Sequence, residues 1–155
     1  MAAKSKSVLI IEARFYEDIA DELARGALGE LESHGVAFER VNVPGALEIP
    51  VALSIAIASN AVGPAGRHGG CIALGCVIRG ETAHYDIVVN ESARALLDLG
   101  IAHGVPVGNG ILTVDTRDQA WARASVDKKN KGRDAVQACL ALMNLQTGAL
   151  AGSAK

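Results

Sequence analysis

Apolar positions follow two alternating patterns along this chain. Short apolar runs occur four times, and between them apolar residues return every three or four positions. The first pattern suits a strand buried on both faces, the second a helix with one apolar stripe. Residues 8–11 read as the first strand, ending near Ala13-Arg14. Residues 17–34 read as an amphipathic helix, with Ile19, Ala20, Leu23, Ala24, Ala27, Leu28 and Leu31 at helical spacing and acids opposite. His34-Gly35 ends it, a side chain suited to the negative helix end followed by a residue that tolerates positive φ. Residues 36–43 are the second strand, broken by Pro44-Gly45, and a helix begins at residue 48 or 50 and runs to 60. That helix is apolar almost all round (Ile49, Val51, Ala52, Leu53, Ile55, Ala56, Ile57, Ala58) and must be covered on more than one side. One small sheet covers one side only, so subunit packing, and hence a homo-oligomer, is expected.

The glycine-rich residues 63–70 read as a flexible connector, and residues 71–78 as a central strand. Arg79 to His84 lead into a third helix ending near Leu99-Gly100 or His103-Gly104. Residues 105–114 form the fourth strand, 118–124 a short helix and 131–145 a final one, while residues 1–6 and 148–155 are expected to fray. The order βαβαβαβ plus two helices predicts an α/β fold, a doubly wound three-layer αβα sandwich on a four-stranded parallel sheet. A single domain over residues 1–155 is expected.

Composition narrows the function. A formal net charge of −2 offers no basic patch for nucleic acid. No apolar run is long enough to span a membrane, and the first seven residues lack the apolar core of a signal peptide. Aromatics make up only 3% of the residues, so the core must be aliphatic. Cys71, Cys76 and Cys139 are odd in number and not spaced for zinc, which predicts reduced thiols and a cytoplasmic protein.

In doubly wound sheets ligands bind beyond the carboxyl ends of the strands. That rule selects Arg14-Phe15-Tyr16, Pro44 to Glu48, Gly80 to His84, and Asn109 to Thr113. Gly80-Glu81-Thr82 precedes a helix whose amides and dipole suit phosphate, or is an ordinary helix start with Thr82 as N-cap. His84 is an acid–base candidate or a structural histidine. Phe15 either stacks on a planar heterocycle or staples the following helix. Glu48 is a first-turn acid or an acceptor for substrate hydroxyls. Arg123 and Lys131 flank the charged loop Asp127-Lys128-Lys129-Asn130, either as a solvated face or as cations for phosphate or a polarised carbonyl. His34 and His103 are explained as helix-end residues, His68 falls in the connector, and no histidine spacing suggests a metal. Trp121 reads as a packing or subunit-contact residue.

Taken together in chain order, these segments resemble one family. Pro44-Gly45-Ala46-Leu47-Glu48-Ile49-Pro50 and Gly75-Cys76-Val77-Ile78-Arg79-Gly80-Glu81-Thr82-Ala83-His84-Tyr85-Asp86 are similar to the 6,7-dimethyl-8-ribityllumazine synthases of riboflavin biosynthesis. Asn90-Glu91, Gly110-Ile111-Leu112-Thr113 and Asn130-Lys131-Gly132 follow in the family's order, and the resemblance covers residues 8–145. It implies a flavodoxin-like fold assembled as a homopentamer, with active sites between adjacent subunits. It also implies a transferase that needs neither metal nor organic cofactor. That enzyme condenses 5-amino-6-(D-ribitylamino)uracil with 3,4-dihydroxy-2-butanone 4-phosphate by imine formation, phosphate elimination and ring closure.

By position, the resemblance gives Phe15 the role of stacking on the pyrimidine. Ala46, Leu47 and Glu48 hold the ribityl chain and ring edge, and Cys76, Val77 and Ile78 line the pyrimidine site. Glu81, Thr82 and Arg123 bind phosphate, Arg123 across a subunit boundary, while His84 moves protons and Lys131 meets the pyrimidine's polar edge. Two departures concern the packing around the heterocycle: Tyr16 stands where many members have Asn, and Asn109, which reaches a neighbour's site, where many have an aromatic. Only a short segment precedes Val8, so a free pentamer or a pair of pentamers is expected rather than a large shell. The competing readings are a flavin- or lumazine-binding protein with little turnover, a shell protein with a vestigial site, and an enzyme that dismutates lumazine to riboflavin.

Overall fold

The computed structural model describes residues 6–148 and 150. Nine elements follow one another: β1 (Ser7–Ala13), α1 (Glu17–Ser33), β2 (Phe38–Val43), α2 (Glu48–Ala58), β3 (His68–Ile78), α3 (His84–His103), β4 (Val107–Val114), α4 (Arg117–Ala124) and α5 (Lys131–Thr147). The strands form one parallel sheet in the order β2-β1-β3-β4. The chain winds outward from β1 to β2, then crosses back to β3, so the order reverses between β1 and β3, the arrangement of flavodoxin-like folds.

Alternation along β1 builds two cores at once. Leu9, Ile11 and Ala13 point to the side where Ile49 and Leu53 of α2 and Leu96 of α3 pack. Val8 and Ile10 point to the opposite side, against Ala27 and Leu31 of α1 and Val136 and Cys139 of α5. A third cluster joins Ile19 and Leu23 of α1 to Leu112, Val114, Ala120 and Ala124, so α4 closes the sheet beside α1. The expected three layers are therefore present, with α2 and α3 on one face and α1, α4 and α5 on the other.

The α1–α5 contact depends on small residues. A Cβ at Gly132 would collide with the backbone carbonyl of Leu23, so only glycine permits this approach. α4 starts with a capping box: Thr116 accepts from the Gln119 amide while the Gln119 side chain accepts from the Thr116 amide.

The structure shifts some of the expected boundaries. β3 begins at His68, so the connector expected over residues 63–70 ends three residues earlier. His68 is 2% exposed and hydrogen-bonded through both ring nitrogens, to Ser7 Oγ at 2.6 Å and to Glu39 Oε1 at 2.6 Å. A satisfied polar side chain is what permits its burial in the strand. β4 begins at Val107 rather than 105, because Pro106 has no amide to give the ladder, although its carbonyl accepts from Cys71. α3 begins at His84 with Ala83 as its N-cap, so Thr82 is not the cap. Most of the ends expected to fray lie outside the described residues. Of those described, Lys6 donates to the carbonyls of Gly63, Pro64 and Gly66, and the Gly148 amide donates to Asn144.

Candidate active site

The carboxyl ends of β1, β2 and β3 deliver three loops to one edge of the sheet. Ala13 and Val43 are register partners, so the segments that follow them, Arg14-Phe15-Tyr16 and Pro44 to Glu48, leave the sheet side by side. β3 ends next to them and leads through Arg79 to His84.

Phe15 is 76% exposed. A ring so open is not stapling α1, and at a strand end it offers a flat apolar surface to solvent. Ala46 is buried, Leu47 half-buried and Glu48 exposed as the first residue of α2, with its amide bonded to the Gly45 carbonyl. The carboxylate of Glu48 is therefore available to hydroxyl donors.

The last three residues of β3 divide between the two faces. Cys76 and Ile78 turn toward the third core cluster together with Tyr16, and alternation sends Val77 to the opposite face. Burial pushes the Cys76 thiol up to about 11, so it stays neutral and unreactive near pH 7. Glu81, Thr82 and His84 are exposed at the start of α3, where the helix amides and dipole favour an anion. The His84 amide donates to Thr82 Oγ1 at 3.3 Å, which leaves the threonine's own proton to be donated elsewhere.

Asn109, Arg123 and Lys131 lie apart from this group. They line an open cleft of about 350 Å³ along β4, the edge strand, with Ile111, Thr113 and Asp134. Asn109 Oδ1 accepts from the Ile111 amide at 2.9 Å and so caps part of the strand's own edge. Arg123 donates to the Gln119 carbonyl at 3.2 Å, and Lys131 pairs with Asp134 at 3.3 Å. None of Phe15, Glu48, Glu81, Thr82 or His84 lines that cleft. The expected site residues thus occur as two groups on this chain. A larger groove of about 530 Å³ between α1 and the start of α5 contains none of them.

Three further residues near the first group are tied into it by ion pairs. Glu12 is 1% exposed, held by Arg40 through Nε at 2.6 Å and Nη2 at 3.0 Å, and by Arg14 at 2.9 Å. Arg79 pairs with Asp115 at 2.8 Å and lies over the Tyr85 ring at 4.3 Å, tying the loop after β3 to the loop after β4. Arg117 pairs with Asp18 and lies over Tyr16. The visible signal was Glu12: a charge inside an apolar strand requires partners. Among the described residues, no group of three or more His, Cys, Asp or Glu is arranged to hold a metal ion.

The family model for 6,7-dimethyl-8-ribityllumazine synthase matches residues 5–147. The chain is 54% identical over 140 residues to 6,7-dimethyl-8-ribityllumazine synthase 1 of Rhodopseudomonas palustris, covering 90% of this chain and 85% of that protein. It is 55% identical over 144 residues to the 6,7-dimethyl-8-ribityllumazine synthase of Xanthobacter autotrophicus, covering 90% and 84%. To the synthase of Azorhizobium caulinodans it is 52% identical over 139 residues, covering 90% and 85%. With a family match over nearly the whole chain and relatives above half identity, this chain belongs to the 6,7-dimethyl-8-ribityllumazine synthase family.

Proposed function

We propose that the chain makes 6,7-dimethyl-8-ribityllumazine from 5-amino-6-(D-ribitylamino)uracil and 3,4-dihydroxy-2-butanone 4-phosphate, as a transferase of riboflavin biosynthesis. The observation that carries this reading is the family relationship over residues 5–147. The open Phe15 ring and the exposed Glu48 and His84, each following the carboxyl end of a strand, fit it.

The 5-amino nitrogen adds to the ketone carbon, and loss of water gives an imine. A proton leaves the adjacent carbon and phosphate departs, and the carbon chain rearranges. The ribitylamino nitrogen then closes on the remaining carbonyl with loss of a second water. One lumazine, one phosphate and two waters account for all the atoms. Much of the rate comes from holding two reactants in register, which is worth several kcal/mol or more. Proton transfers supply the remainder, and His84 is the group for them.

In this reading Phe15 stacks on the pyrimidine, Ala46, Leu47 and Glu48 hold the ribityl chain, and Cys76, Val77 and Ile78 form the strand-end wall. Glu81 and Thr82 meet the phosphate, with the Thr82 proton as a donor. Asn109, Arg123 and Lys131 act from an adjacent subunit, Arg123 on the phosphate and Lys131 on the pyrimidine edge. The separation of the two groups on one subunit supports this division. Exposed Val51 and Ile55 on α2 and Ile87, Leu97 and Ile101 on α3 give the apolar surface for subunit packing. We assign a homopentamer of single-domain chains, alone or paired as a decamer. The unpaired thiols Cys71, Cys76 and Cys139 suit the reducing cytoplasm.

The decisive experiment is a turnover assay with purified protein and both substrates, following lumazine fluorescence. Multiple turnover above the uncatalysed background is expected. Tight binding of the pyrimidine or a flavin with no turnover would replace the synthase with a binding protein.

A further inference from the structure

Phe15 poses a physical problem for a stacking platform. Its ring is 76% exposed on a loop, and an unrestrained phenylalanine there would share its time among several rotamers. A platform contributes more affinity when its angle is set before the ligand arrives, because binding then carries no ordering cost. The structure shows what sets it.

The Tyr16 ring meets Phe15 edge-on, with centroids 4.9 Å apart and planes at 75°. Tyr16 is itself immobilised. It packs with Cys76 and Ile78 against the cluster of Ile19, Leu23 and Leu112, and its backbone carbonyl accepts the first hydrogen bond of α1, from Ala20 at 2.8 Å. The Arg117 guanidinium lies over its ring at 5.9 Å, held by an ion pair with Asp18 in the first turn of α1. On the other flank, Arg14 is tied to buried Glu12 at 2.9 Å and to Asp21. Both chain neighbours of Phe15 are thus anchored to the sheet and α1, and one of them grips the ring directly.

We infer that Tyr16, covered by Arg117, is a positioning residue that fixes the Phe15 ring and thereby sets affinity for the planar heterocyclic substrate and not for the phosphate-bearing ketone. The inference rests on Phe15 being the stacking residue of the proposed synthase. Tyr16 does its work through its ring, because the ring alone meets Phe15 and Arg117; its hydroxyl is dispensable.

The test measures KM and kcat for each substrate, with the other saturating, in wild type, Tyr16→Leu, Tyr16→Phe and Arg117→Met. Tyr16→Leu should raise KM for the pyrimidine about three- to tenfold, the range of one aromatic edge contact. KM for the ketone phosphate should not change in the same variant. Tyr16→Phe should restore the wild-type value, and Arg117→Met should raise the pyrimidine KM about twofold by removing only the cover. An unchanged pyrimidine KM in Tyr16→Leu, or an equal rise for both substrates, overturns the inference. If Tyr16→Leu does not fold, Arg117→Met decides, and an unchanged pyrimidine KM there overturns it. A wild-type protein that binds the pyrimidine without turnover would sink the synthase reading alone, and dissociation constants for the same variants would then test the positioning role.

Discussion

His84 stands exposed at the first position of α3, so its ring is free to reach a reacting atom but is not enclosed by the rest of the chain. His84→Ala should lower kcat roughly tenfold to a thousandfold, the loss expected for one general acid–base group, with KM values largely kept. Steady-state kinetics at saturating substrate would check it, and an unchanged kcat would remove His84 from the mechanism. The thiols give a pH prediction. Burial pushes Cys76 up to about 11 and Cys139 up to about 12, from an ordinary value of 9.0, and pushes buried Cys71 higher still. Above pH 9 the unfolded chain therefore releases protons that the folded chain keeps, so folding stability falls as pH rises from 9 toward 12. Melting temperature measured across that window should decline, and the decline should flatten in Cys139→Ala. At the residue scale the sequence made Phe15, Glu48 and His84 legible as candidates, because each falls in a segment that follows the carboxyl end of a strand. It left Arg14, Arg79 and Arg117 without roles. Arg79 and Arg117 find their partners, Asp115 and Asp18, on other segments, and Arg14 bridges Glu12 of its own strand end to Asp21 of α1, so no local periodicity relates them.

Elements were the most readable scale, because burial of the central strands on both faces leaves continuous apolar runs, while one-sided helices leave apolar residues at helical spacing. Ile10 and Ile11 face opposite cores, which is why β1 reads as an unbroken apolar run. Errors arose where one polar side chain finds a partner. His68 looked like part of a glycine-rich connector, yet Ser7 and Glu39 satisfy both its nitrogens and let β3 start there. Packing of elements was less readable, since a glycine in a helix announces only weakness. Gly132 reads in the fold as the place where α5 touches the α1 backbone. Gly132→Ala, favourable for an isolated helix, should instead destabilise the protein by about 1–3 kcal/mol, the cost of overpacking. Denaturant titration measures it, and a neutral or stabilising effect would show that α1 and α5 can separate without loss.

The sequence shows that α2 needs cover but not what covers it. An all-apolar α2 demanded cover, and in the fold Val51 and Ile55 remain outward at 59% and 65% exposed. Periodicity along the chain could not divide the candidate residues into a strand-end group around His84 and an edge-strand group around Arg123; only the family resemblance set Arg123 and Asn109 across a boundary. That division is a property of the three-dimensional sheet. If the two groups meet only across a subunit boundary, inactive variants of each should repair one another. His84→Ala keeps a good edge-strand group, and Arg123→Ala keeps a good strand-end group. When the two variants are unfolded together and refolded in equal amounts, chance assembly joins two intact groups at about a quarter of the boundaries in a ring. Activity should therefore rise to about a quarter of wild type, well above either variant alone, while mixing without unfolding restores nothing. Sites contained within one subunit would leave every mixed site carrying one defect or the other. The refolded mixture would then show only the average of the two weak variants.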